Sequence, residues 1–209
     1  MKIYGFPRSR ASRATWTAEE AGVEYEYVRL NAQAGEHRQA PYLQINPNGK
    51  VPALVDGDLV LSESGVICTY LAERSRGAQI IPSAGTPDRY RHDQWLFFVI
   101  GELEQPLWTM GKHRFALPAE HRKPEIMETA GYEFKVAAEV LAKGLGDSQY
   151  ILGDQFTVAD IMIGHTLRWA NAFGVPVPHD NVNAYAERVW ARPALARAFA
   201  REDGTSSAS

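Results

Sequence analysis

Asn46-Pro47-Asn48-Gly49-Lys50-Val51-Pro52-Ala53-Leu54, followed shortly by Leu61-Ser62-Glu63-Ser64, is the stretch whose reading decides the fold. A Val-Pro bond adopts the cis form at modest cost, whereas other cis peptide bonds are expensive. A cis proline entering a strand turns the backbone of Val51 outward, where its N–H and C=O can pair with an extended peptide. Ser62-Glu63-Ser64 then opens a helix. Its free N–H groups and positive end suit a carboxylate, and its acid suits an amine. The combination reads as a holder for the backbone and the free amino acid end of a small peptide.

Working outward, residues 2–5 read as a short strand and residues 10–21 as a helix stopped by Gly22. Residues 24–30 alternate polar and apolar with period two, a strand signal. A helical turn over 37–44 precedes the Pro47-Asn48-Gly49 turn. Residues 53–55 and 59–61 flank Asp56-Gly57-Asp58 and read as a hairpin, and residues 64–74 read as a helix. A β-α-β unit followed by a hairpin and a helix is the thioredoxin-like order. Residues 77–87 carry two Gly and two Pro and read as a linker. Beyond it, 88–112, 119–143, 157–173 and 181–190 read as helices, with Pro193 starting another. The expected architecture is therefore an α/β thioredoxin-like domain over residues 1–78, followed by an all-α helical domain over 88–205.

Composition narrows the function classes. The 209 residues are 45% apolar and 22% charged, an ordinary globular balance. A net charge of −3 gives no basic footprint for nucleic acid. No interaction tail is indicated beyond the small-residue end over 204–209. The one cysteine, Cys68, rules out an intrachain disulfide framework and suits a reducing compartment. It lies within an apolar helix and reads as packing. The chain enters a strand at once with no apolar signal region, and no apolar stretch is long enough to span a bilayer, so a cytoplasmic location is expected. The histidines show no paired ligand spacing, and no metal is expected.

Val51-Pro52-Ala53-Leu54 and Glu63-Ser64 match the glutathione site of the glutathione transferase family. Phe156-Thr157-Val158-Ala159-Asp160-Ile161, far downstream, is similar to that family's buried capping motif. Their order and separations make the whole chain resemble a family member. The resemblance implies that Ser64, through its hydroxyl and N–H, holds the γ-glutamyl carboxylate and that Glu63 meets the γ-glutamyl ammonium. It implies that Val51, fixed by Pro52, pairs with the cysteinyl backbone, and that Lys50, with His37 and Gln39, faces the glycine end. Thr157 and Asp160 form a capping box with Phe156 and Ile161 at the staple positions, and disrupting it costs ~0.5–2 kcal/mol.

Thiol activation is assigned to the loop before the first helix. Tyrosine-type transferases carry Tyr directly before a Phe-Pro pair, where this chain has Gly5; Tyr4 points to the opposite strand face. The loop also lacks a cysteine. Ser9-Arg10-Ala11-Ser12-Arg13 resembles the Ser-x-x-x-Arg pattern of serine-type members, which makes Ser9 the expected activator and Ser12 the alternative. A backbone N–H, an arginine, or a purely capping Ser9 remain open readings. Lowering a thiol pKa by about two units takes ~2.7 kcal/mol. A charge-assisted hydrogen bond supplies ~1.5–3 kcal/mol, and a helix end some tenths to about 1.

The implied activity is conjugation of the glutathione thiolate to a small hydrophobic electrophile by a homodimer, with glutathione as cosubstrate. Trp108, Met110, Arg114, Trp169 and Phe173 are the electrophile-pocket candidates by the same resemblance. Two alternatives stand. One is a glutathione-dependent disulfide reductase or peroxidase on the same site. The other is a non-catalytic binding or scaffold protein in which Glu63 and Ser64 only cap a helix.

Overall fold

The structure is a computed structural model in which residues 1–205 are described; the last part of the small-residue tail, 206–209, lies outside them. The chain divides into two compact units, one formed by Met1–Ile81 with the segment from Ala191 onward, the other by Pro82–Trp190.

In the first unit, β1 (Lys2–Gly5), α1 (Ala11–Ala21) and β2 (Glu26–Arg29) form a parallel β-α-β unit. After a 3₁₀ turn at Glu36–Arg38 and the short α2 (Ala40–Leu43) come the hairpin β3 (Ala53–Asp56) and β4 (Leu59–Ser62), then α3 (Ser64–Ala72). The sheet order is β2-β1-β3-β4, with β3 antiparallel to β1 and β4 antiparallel to β3. Ile3 pairs in register with Leu54, and both enter the core with Ala14 and Ala18 of α1 and Ile67 and Leu71 of α3. The alanines let α1 lie close to the sheet, and that closeness explains Gly5. A Cβ there would run into the Ala11 side chain and come within 3.2 Å of the Tyr27 hydroxyl. The position that the resemblance aligns with the tyrosine of tyrosine-type transferases thus has no room for a side chain without a shift of its neighbours. We expect Gly5→Ala to cost ~1–3 kcal/mol by overpacking. A denaturant midpoint indistinguishable from wild type would show that α1 can move away freely.

The closing helix α9 (Pro193–Asp203) belongs to this first unit, although the sequence pattern grouped it with the downstream helices. It lays Ala194, Leu195, Ala198 and Glu202 against its neighbours, a spacing that keeps one face buried. Arg192 forks onto Glu20 at 2.6 and 2.8 Å, and Arg197 and Arg201 both pair with Glu19. Both partners are on α1, more than 170 residues away in sequence, a separation that no periodicity reveals.

The second unit holds α4 (Pro87–Phe98), α5 (Gln105–Gly111), α6 (Ile126–Leu145), α7 (Val158–Ala172) and α8 (Asp180–Trp190). Wide π turns follow α4 and α5, at Val99–Leu103 and Lys112–Ala116, so the helix expected over 88–112 is interrupted and extended. The helix expected from 119 starts instead at Ile126. Pro124 supplies no N–H and cannot stand inside a helix, and only a 3₁₀ turn forms at Ala119–His121. Thr157 and Asp160 form the expected capping box at the start of α7. Among the described residues, no helix is long and apolar enough to cross a membrane.

Candidate active site

The turn before β3 is built around Asn46, which is buried. Its Oδ1 accepts from the Asn48 N–H at 3.1 Å, and its Nδ2 donates to the Lys50 carbonyl at 2.7 Å. The Tyr42 hydroxyl donates to the same carbonyl at 2.6 Å. Burial pushes the Tyr42 phenol up to about 12, which keeps it a donor at neutral pH. Gly49 has φ 59°, and a Cβ there would sit 3.0 Å from the His37 carbonyl, so this turn and the 3₁₀ turn bearing His37 are in contact. The Val51-Pro52 peptide is cis, as the sequence suggested. Val51 lies just outside the sheet register, which begins at Ala53. Sequence reasoning saw the turn but missed the Asn46 and Tyr42 clamp on Lys50.

The His37 ring meets the Phe6 ring edge-on at 5.8 Å, and its Nδ1 is buried without a hydrogen-bond partner among the described residues. Desolvation, with the Arg38 charge adding to it, lowers the His37 pKa. Gln39 donates to the Ala34 carbonyl at 2.9 Å.

At the start of α3, Glu63 has φ 69° and makes no side-chain hydrogen bond to the helix. Glu63 therefore does not cap α3, and its first N–H groups keep their pull on an anion. Ser64 is buried, and its hydroxyl accepts from Nη1 of Arg13 at 3.2 Å. Arg13 is itself fully buried within α1. A guanidinium thus stands directly behind the proposed carboxylate site, a feature that the Ser-x-x-x-Arg resemblance hinted at without placing.

The loop before α1 separates the two serines. The Ser9 hydroxyl donates to the Phe6 carbonyl at 2.6 Å and accepts from the Ala11 N–H at 3.2 Å, so it bridges the first turn as a capping serine does. Ser12 is buried, and its hydroxyl donates to Oε2 of Glu202 at 3.0 Å. Tyr4 packs its ring on Tyr42 at 6.0 Å. Cys68 is fully buried, and desolvation pushes its thiol up to about 11, which is the packing role expected for it.

Among the described residues, Arg8 (φ 60°) and Glu63 are the non-glycine residues with positive φ. Each costs about 1–3 kcal/mol in strain, and such residues gather at functional sites. They directly precede Ser9 and Ser64, and nothing in composition or periodicity signals them.

Within the second unit, several of the aromatic candidates are brought together. The rings of Trp108 and Trp169 lie 6.4 Å apart, and those of Trp169 and Phe173 lie 5.6 Å apart. Arg114 stacks over Phe173 and donates to its carbonyl at 3.3 Å. Phe115, unremarked in the sequence, joins at 6.2 Å from Phe173, and Met110 is buried.

Residues 1–73 match the family model for the glutathione S-transferase N-terminal domain, and residues 125–188 match that for the C-terminal domain. Glutathione S-transferase 3 of Zea mays is 29% identical over 96% of this chain and 93% of its own length. The disulfide-bond oxidoreductase YfcG of Escherichia coli (strain K12) is 30% identical over 94% of this chain and 93% of its own. A sphingomonad glutathione S-transferase solved in complex with glutathione superposes with a TM-score of 0.85 at 27% identity, covering 97% of this chain and 99% of that one. With both family models matched in chain order and a 30%-identical relative spanning nearly the whole length, the chain belongs to the glutathione S-transferase family.

Proposed function

We propose that this protein is a serine-type glutathione transferase, which binds glutathione in the first unit, lowers its thiol pKa and directs the thiolate at a small electrophile. One observation carries the binding half: an uncapped helix start at α3 whose Ser64 hydroxyl is backed by the buried Arg13. The γ-glutamyl carboxylate is the ligand group that fits it, with Glu63 meeting the ammonium and the Val51 backbone the cysteinyl residue. Lys50 and His37 serve the glycine end. A glutathione-bound relative of the same fold supports the ligand, and the missing side-chain cap at Glu63 favours a ligand-binding role for the start of α3 over a purely capping one.

Ser9 is the proposed activator, and Ser12 is disfavoured because its hydroxyl is committed to Glu202. A serine O–H rotates to suit its acceptor. On binding, the Ser9 proton can turn from the Phe6 carbonyl to the glutathione sulfur, favouring thiolate over thiol. The test is a pH titration of thiolate absorbance for glutathione bound to wild type and to Ser9→Ala. Wild type should lower the thiol pKa clearly below that of free glutathione. Ser9→Ala should raise it again by about one to two units, and kcat/KM should fall about 10- to 100-fold. Binding with an unshifted pKa in wild type would sink activation and favour disulfide exchange, the second reading, which the YfcG relative supports by its name.

Self-association is part of the proposal. Leu59, Val60 and Val66 are exposed in the first unit, as are Phe97, Tyr132, Val136 and Val140 in the second. The last three recur every fourth residue along α6, one continuous apolar stripe. A homodimer that covers these faces fits the family resemblance, and a cytoplasmic location fits the lone, buried cysteine. Sedimentation at the monomer mass would overturn the dimer.

A further inference from the structure

We propose that Glu202, on the closing helix α9, is a positioning residue that holds the Ser9 loop in its working shape. The functional half of this proposal rests on the Ser9 reading above. Glu202 is fully buried, and its two carboxylate oxygens divide their partners. Oε1 accepts from the Thr15 hydroxyl at 2.8 Å, which ties α9 to the body of α1. Oε2 accepts from the Arg8 backbone N–H at 3.1 Å, from Nη1 of Arg8 at 3.1 Å and from the Ser12 hydroxyl at 3.0 Å.

Those three donors bracket Ser9 on both sides. Arg8 has a left-handed backbone that a side-chain-bearing residue adopts only when its surroundings hold it there. The hold comes from α9: besides Glu202, Asp203 pairs with the Arg8 guanidinium at 2.6 Å, and that guanidinium lies 4.0 Å over the Phe199 ring. The loop's own bonds are local: the Ser9 N–H to the Phe6 carbonyl at 3.3 Å, the Ser12 N–H to the Ser9 carbonyl at 3.0 Å, the Arg13 N–H to the Arg10 carbonyl at 3.2 Å and the bridge through the Ser9 hydroxyl. Hydrogen bonds to a charged acceptor are about twice as strong as neutral ones, so the buried carboxylate dominates this arrangement. By engaging the Ser12 hydroxyl it also disfavours the alternative serine. The last helix thereby sets the geometry at the beginning of the chain.

The experiment compares wild type with Glu202→Gln, Glu202→Met and Thr15→Val. It reads amide hydrogen exchange of the peptide spanning residues 6–13, normalised to α3, and the thiol titration of bound glutathione. Glu202→Met removes every acceptor, and exchange of the loop peptide relative to α3 should rise about tenfold. Glu202→Gln can turn its remaining oxygen to the loop and should fall between the two. In both variants the bound thiol pKa should move up towards that of free glutathione. Thr15→Val removes the Oε1 contact, together with the longer approaches of the same hydroxyl to the Ala11 and Ser12 carbonyls at 3.5 and 3.3 Å, but spares all three Oε2 bonds. It should lower Tm while leaving the loop exchange and the thiol pKa near wild-type values. If Glu202→Met does not fold, Glu202→Gln against Thr15→Val decides the same question. Wild-type loop exchange in the Glu202 variants, or Thr15→Val matching them in both readouts, overturns the proposal. A wild type that binds glutathione without lowering its pKa would instead overturn the Ser9 reading, while the exchange data still decide whether Glu202 holds the loop.

Discussion

Replacing Asp160 by alanine should remove about 3–5 kcal/mol of stability, several times what an ordinary helix cap contributes. The carboxylate is fully buried. Its Oδ2 accepts from the Thr157 N–H at 2.8 Å and the Thr157 hydroxyl at 3.0 Å, while its Oδ1 accepts from the Ile151 N–H at 2.9 Å and the Tyr185 hydroxyl at 2.8 Å. One side chain therefore joins the start of α7, the turn at Tyr150–Gly153 and α8. Burial pushes the Asp160 pKa up, and these donors, each favouring the ionised form, pull against it. Alanine would leave the donors in an interior with no acceptor, each at about 1–3 kcal/mol, less than additive because they share one site. Asp160→Asn keeps one acceptor oxygen but aims an NH₂ at the donors on the other side, so it should fall between wild type and alanine. Urea unfolding followed by fluorescence measures the loss. Glutathione binding per folded molecule should stay at its wild-type value, since the network lies within the second unit. A loss under about 1 kcal/mol for Asp160→Ala would mean that water or rearrangement satisfies the orphaned donors.

This network marks the limit of what the sequence disclosed. The Thr157–Asp160 spacing announces a capping box because both partners lie within one helical turn. Ile151 and Tyr185 are contributed by other elements, and no local pattern points to them. The same division runs through the candidate site. Pro52 permits the cis bond that the structure shows, and Glu63-Ser64 announces a helix start, because backbone chemistry writes these signals into adjacent residues. The Asn46 clamp on Lys50 was within reach, since an asparagine opening a turn often bonds to backbone a few residues on. Arg13 behind Ser64 and Glu202 behind Ser12 were not, for a buried charge is legible only once its partner is placed. Helix boundaries failed where proline chemistry overrode periodicity, at Pro124, and where π turns widened the helical run after α4 and α5.

Ser64→Ala should weaken glutathione binding about 10- to 100-fold, the value of one charge-assisted hydrogen bond of ~1.5–3 kcal/mol. The geometry behind this expectation is the 3.2 Å bond in which the fully buried Arg13 donates to the Ser64 oxygen. A hydroxyl that accepts from a guanidinium keeps its own proton for another acceptor. At a helix start with no side-chain cap, the acceptor the surroundings favour is an anion, because the α3 N–H groups and the Arg13 charge act in the same sense. A second ligand separates this effect from general damage to the site. Glutathione amidated at the γ-glutamyl carboxylate carries no charge there, so it should bind wild type more weakly and lose little more on going to Ser64→Ala. Calorimetry on both ligands and both proteins closes the cycle, and the coupling between the Ser64 hydroxyl and the carboxylate should be about 1 kcal/mol or more. Equal losses for the two ligands would show that Ser64 shapes the site without touching the carboxylate, and the assignment of that end of glutathione to α3 would fall.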